Sequence, residues 1–195
     1  SDGQTTAKQE RASLEMVKIV LQENKSYATP QAIAKDKPFF DRLMKVYPEI
    51  NDVWLQGLHA QGVKIKSLYA GSGFTEINRD GGFMDFISNL IRTKFGISKK
   101  DAWNPADIWM IKNETKVREK LLESVSGPNP SVSRLNDTMR MMYKNKTLVG
   151  VSLKAVSGKT AKWENVNTVS NIPQSEQLKL DSIRMTMTSN SDGTL

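Results

Sequence analysis

A chain of 195 residues, 25% charged and 38% hydrophobic, can bury an ordinary globular core, as one domain with extensions or as two small ones. The absence of cysteine excludes disulfides, thiolate zinc sites and a cysteine nucleophile and fits a reducing cytoplasm, and a single histidine, His59, excludes any site built on two imidazoles. The net charge of +7 favours polyanionic partners, nucleic acid first, through phosphate neutralisation, and no apolar run approaches the roughly 18 residues of a bilayer span, so no membrane partner is expected.

The polar start, 1–10, lacks the apolar stretch of a signal peptide. Residues 8–23 have a wide apolar face at helical spacing, from Leu14, Val17 and Leu21 with Met16, Ile19 and Val20. Thr29 before Pro30 is an N-cap signal for a short helix over 30–35. Helices over 38–46 and 48–61 follow, the second opened by Pro48. Gly62 is read as the end of this block, and 63–69 (VKIKSLY) alternates like a short strand. After the turn AGSGF at 70–74, a helix is predicted over 82–95 with Gly96 as its C-terminal cap.

Residues 105–111 (PADIWMI) read as a buried strand, 114–124 as a charged helix closed by GPNP, and 131–145 as a helix with Val132, Leu135, Met139 and Met142 inward. Residues 147–154 (TLVGVSLK) read as a strand followed by a turn at 156–159. Strands are predicted over 161–169 and 178–188, with a mobile Ser/Asn/Gly-rich tail from Ser189. The expectation is an α+β (mixed α/β) fold: an N-terminal helical region at 1–62, a sheet-centred core at 63–188 and a tail at 189–195.

Two of these strands carry polar residues where a structural strand would not place them. Asp107 heads one. Ser152 and Lys154 lie two apart on the other and share a face. With one histidine and no cysteine, any metal must be held by oxygen, which selects Mg²⁺ or Mn²⁺ over Zn²⁺. Phosphodiester cleavage needs a carboxylate to hold such an ion against the scissile phosphate. It also needs a lysine to orient or deprotonate the attacking water.

The PAD motif ending at Asp107, with Ser152-Leu153-Lys154 downstream, resembles the PD-(D/E)XK, restriction-endonuclease-like nuclease superfamily over about 82–170. The resemblance implies Asp107 as the metal-binding aspartate, Lys154 as the catalytic lysine, and Ser152 where the family carries Glu or Asp. It also implies an additional acid on the preceding helix, best matched by Asp85 and less well by Glu76. Ser152 removes one carboxylate ligand, and the 44 residues between Asp107 and Ser152 imply an inserted helical segment. The segments DAWNPADIWMI and LVGVSLK also resemble uncharacterised phage proteins, which implies host cytoplasm or virion as the setting.

Lys99, Lys100, Trp103 and Lys112 bracket the strand and are the expected nucleic-acid contacts, the lysines to phosphate and Trp103 by stacking. Arg92, Lys94, Lys116, Arg118 and Lys120 extend this rim, interleaved with Asp101, Glu114 and Glu119 as on an ordinary solvated face. Trp109 and the Met139, Met141 and Met142 group read as core or interface, and His59 as a packed core histidine. AGSGF lacks the following Gly-Lys-Ser/Thr of a P-loop, which removes an NTPase. The leading expectation is a Mg²⁺-dependent nuclease acting on DNA ahead of RNA. The alternative is a non-enzymatic nucleic-acid-binding or virion structural module, with the N-terminal helices available for oligomerisation or docking.

Overall fold

A computed structural model describes residues 2–98, 106–159, 162–165 and 182–189, with side-chain surroundings over 3–98 and 106–151. The chain is mixed α and β, in the order α1 (Asp2–Leu21), α2 (Pro30–Lys35), α3 (Lys37–Val46), α4 (Asp52–Tyr69), β1 (Glu76–Asn78), α5 (Gly82–Phe95), β2 (Ile108–Ile111), α6 (Glu114–Ser124), α7 (Val132–Lys144), β3 (Leu148–Lys159), β4 (Lys162–Asn165) and β5 (Ser182–Ser189). It divides into two units, one built on residues 1–73 and the other on 74–152, with the later strands shared between them. Among the described residues no helix is long and apolar enough to cross a membrane.

The first unit is a four-helix assembly with local start signals. Thr29 Oγ1 accepts from the Ala32 N–H at 3.2 Å, with Pro30 at the first helical position of α2. Asp36 caps α3 through the Phe39 N–H at 3.3 Å, and Asn51 caps α4 through the Trp54 N–H at 3.1 Å. The helix expected from Pro48 therefore starts later, at Asp52. The core joins Met16, Val17, Ile19 and Val20 of α1 to Ile33, Phe39, Leu43, Leu58 and Ile65. Arg42 ties α3 to α1 through Glu15 at 2.7 Å and to the segment just after α1 through Glu23 at 2.6 Å.

The strand expected over 63–69 is instead the last part of α4, so the boundary expected at Gly62 falls inside a helix. Buried positions 55, 58, 62, 65 and 69 recur at helical spacing. In a seven-residue window the same pattern passes for alternation. Gly62 does not stop the helix, because its missing side chain is what the packing requires. A Cβ there would lie 2.3 Å from Met16 Cε.

In the second unit, β1, β2 and β3 pair antiparallel, with Ile77 opposite Met110, and Trp109 and Met110 opposite Gly150 and Val149. The full strand order is β1-β2-β3-β5-β4. All four residues of β2 are at most 1% exposed, which explains its unbroken apolar sequence. Trp109 and Ile111 join the helix-facing core with Phe83, Ile87 and Ile91 of α5, Val117 and Leu121 of α6, and Leu135, Met139 and Met142 of α7. Gly96, at φ 66°, ends α5 in the left-handed conformation as its position predicts. Strand β1 was not foreseen. β3 runs through the turn expected at 156–159, and β5 ends at Ser189, where the tail was expected to begin.

Candidate functional site

Asp107 is half-buried at the head of β2, next to Ala106, which is 3% exposed. Its N–H donates to the Val151 carbonyl at 2.8 Å. The ladder, however, pairs Val151 with Ile108. The bond from Asp107 is thus one residue out of step with the ladder, whose regular pairing ends at Ile108. The strand expected from Pro105 accordingly begins at Ile108, with Asp107 standing just before it.

Ser152 follows Val151 directly on β3, and Lys154 lies two positions further along the same strand. The backbone of both is extended as the sequence predicts, while their side chains fall outside the described residues, as do Lys99, Lys100 and Trp103 altogether. Asp85 is exposed in the first turn of α5. Among the described residues no three His, Cys, Asp or Glu side chains gather into a metal-binding group. Mg²⁺ asks for little from a protein: one or two carboxylates, with water and substrate phosphate filling the other positions. Of the carboxylates expected to serve such an ion, Asp107 stands at a strand head and Asp85 is exposed on α5.

Lys112 directly follows β2, at the end of the strand away from Asp107, five residues on and roughly 17 Å along an extended strand. There its N–H donates to the Thr147 carbonyl at 2.8 Å, tying the end of β2 to the start of β3. This pairing brings the end of α7 and the start of α6 to one corner. Lys112, Lys116, Lys144 and Lys146 are all exposed at it, with Glu76 on the neighbouring strand. Lys144 and Lys146 read from sequence only as a helix terminus. The signal for the cluster is the non-local match of Ile111 to Leu148, which no short window contains.

Arg118 is held over the Phe86 ring at 4.7 Å and paired with Glu114, so it is a structural cation of the α5–α6 contact. Trp109 is core as expected, 1% exposed, with its ring edge-on to Phe83 at 5.6 Å and its Nε1 without a hydrogen-bond partner among the described residues. His59 is half-buried rather than fully packed, and its Nε2 lies 2.8 Å from the Tyr27 carbonyl. No protein-family model, curated protein or solved structure matches the chain.

Proposed function

We propose that this chain is a metal-dependent nuclease acting on DNA. The observation that supports it is Asp107, at the head of a fully buried strand, with its N–H bonded to the antiparallel strand that bears Ser152 and Lys154. In this reading the Asp107 carboxylate holds Mg²⁺ or Mn²⁺, which when bound supplies charge stabilisation at the scissile phosphate. Lys154 orients the attacking water. Ser152 supplies a hydroxyl where the resembled family has an acid, and Asp85 is the candidate for a further carboxylate. A rigid, buried β2 suits the role because a catalytic carboxylate must be held to within a fraction of an ångström.

The test is cleavage of plasmid and single-stranded DNA with Mg²⁺ or Mn²⁺ by the unmodified chain, Asp107→Ala and Lys154→Ala. Cleavage lost in both variants, with their folding intact by circular dichroism, supports the proposal. No cleavage by the unmodified chain, or equal cleavage by all three, refutes it.

A second reading, a non-catalytic nucleic-acid-binding or virion module, is favoured by the lysine corner at Lys112, Lys116, Lys144 and Lys146. If these four contact phosphates, replacing all of them with Gln lowers the slope of log K against log salt for duplex DNA by about 3 to 4. An unchanged slope removes the corner from the interface.

A further inference from the structure

In the first unit a groove of about 600 Å³ runs between the second half of α1, residues 26–28 and one face of α4. Its base is apolar: Met16 is 2% exposed, Val20 is 5% exposed, and Gly62 is buried between the two helices. Met16 and Val20 can form this base because position 62 has no side chain, since a Cβ there would meet Met16 Cε at 2.3 Å and Val20 Cγ2 at 3.5 Å. Glycine inside a helix is otherwise unfavourable. At the rim, Val63 is 55% exposed, an apolar side chain left in water.

The polar groups of the groove are few and directional. Lys66 Nζ donates to Ser26 Oγ at 3.0 Å, and among the described residues it makes no ion pair with a carboxylate. The Tyr27 carbonyl can only accept, so His59 Nε2 carries a hydrogen and donates to it, which leaves Nδ1 as the second polar atom of the ring. His59 and Lys66 are seven residues apart on α4, two turns, or roughly 10 Å along the axis. An apolar trough thus has a cation paired with a hydroxyl at one end and an imidazole toward the other.

We propose that this groove binds a small amphipathic carboxylate, with its hydrocarbon part laid on Met16, Val20 and Val63 and its carboxylate taken by Lys66 and Ser26. The volume falls in the range of small-molecule sites, roughly 300–1,000 Å³, and such sites are apolar with a few placed polar groups. A carboxylate neutralises the cation at Lys66 and accepts from the Ser26 hydroxyl, whereas an alcohol can accept from either but brings no charge. The inference stands apart from the nuclease reading and uses none of its residues.

Decanoate and decanol, titrated into the full chain and followed by calorimetry and by amide NMR shifts, separate the terms. Decanoate is expected to bind saturably with a Kd below about 1 mM, and decanol about fivefold more weakly. The shifts are expected to centre on Ser26, His59 and Lys66. Lys66→Gln, at an exposed position, brings decanoate to the affinity of decanol and leaves decanol unchanged. Val63→Trp, also at an exposed position, obstructs the groove and weakens both ligands. The proposal is overturned if decanoate does not saturate, if the two ligands bind the unmodified chain equally, if Lys66→Gln leaves decanoate binding intact, or if the shifts lie elsewhere.

Discussion

The Asp36 carboxylate joins three parts of the first unit, and its removal is a sharp test of the packing described above. Oδ1 accepts from the Phe39 N–H and caps α3, while Oδ2 accepts from the Tyr27 hydroxyl at 2.7 Å and from Lys25 Nζ at 2.9 Å. The side chain is 16% exposed, against 49% for Lys25. The cap contributes about 1 kcal/mol. The shielded hydroxyl-to-carboxylate bond contributes about 1.5–3 kcal/mol. The lysine, largely in solvent, adds a few tenths of a kcal/mol and is screened by salt. Asp36→Ala should therefore lower stability by about 3 kcal/mol near neutral pH. Asp36→Asn keeps the cap through its single amide oxygen but presents an N–H donor, in place of an acceptor, to the Tyr27 oxygen and to Lys25, and should lose about 1–2 kcal/mol, less than Asp36→Ala.

Tyr27→Phe leaves the ring stacked on Phe39, with centroids 5.6 Å apart, and removes only the hydroxyl. Urea denaturation followed by far-ultraviolet circular dichroism gives the four corners of the Asp36→Ala and Tyr27→Phe cycle, with an expected coupling of about 1–2 kcal/mol. The pH dependence has two limbs. The Tyr27 hydroxyl holds the Asp36 carboxyl below its ordinary value of 3.8, aided by Lys25. That stabilisation is present above the unfolded value and is lost as pH falls through the lower folded one. Burial, then the bond to Asp36, raises the Tyr27 hydroxyl above its ordinary 10.0. Its share is full below about pH 10 and declines as pH rises beyond it. Tyr27→Phe should flatten both limbs. Additive single mutants, or Asp36→Asn as damaging as Asp36→Ala, would refute this account.

Gly150 faces Trp109 across the ladder, and a Cβ there would lie 3.0 Å from both Ala106 Cβ and Trp109 Cζ3. Gly150→Ala should cost about 1–3 kcal/mol as the buried indole is displaced, read as a lower urea midpoint with an unchanged slope. An unchanged midpoint would mean that Trp109 has room to shift. Asn113 caps α6 from φ 59°, a conformation that favours glycine. Asn113→Ala loses the cap and strains the backbone, about 2 kcal/mol together, whereas Asn113→Gly should lose less than 1 kcal/mol. Equal thermal shifts for the two variants would show that the backbone conformation is not limiting.

What was legible in the sequence follows the range of the interactions involved. Helix α6 reads at 114–124 because its cap and its GPNP break are local, and α5 reads at 82–95 because Gly96 closes it. The end of α4 misreads because what continues the helix past Gly62 is Met16, some 46 positions earlier in the chain. β1 is three residues long and exists only as the partner of β2. At the candidate site, the apolar run of β2 announces Asp107 as a strand head. The bond that holds its backbone depends on Val151 and is invisible in the residues around it. Lys112 reads as flanking the strand, and it does follow β2 directly, five residues and roughly 17 Å along an extended strand from Asp107.

The 44 residues between Asp107 and Ser152 look at first like a departure from two adjacent strands of a nuclease core. The packing gives them another meaning. They contain the rest of β2, then α6 and α7, which bury Val117, Leu121, Leu135, Met139 and Met142 in the same core as Trp109 and Ile111. A strand with all four residues buried needs cover, and this helix pair supplies it on the Trp109 face. The chain then returns antiparallel, with Leu148 opposite Ile111 and Val151 opposite Ile108, so the two motif-bearing strand segments are neighbours in space despite the gap. The insertion is therefore a layer of the fold, and its length says nothing against Asp107 and Ser152 serving one site. What bears on that question is the backbone at 107: its N–H is bonded to the carbonyl of Val151, the residue before Ser152, which sets the two backbones side by side.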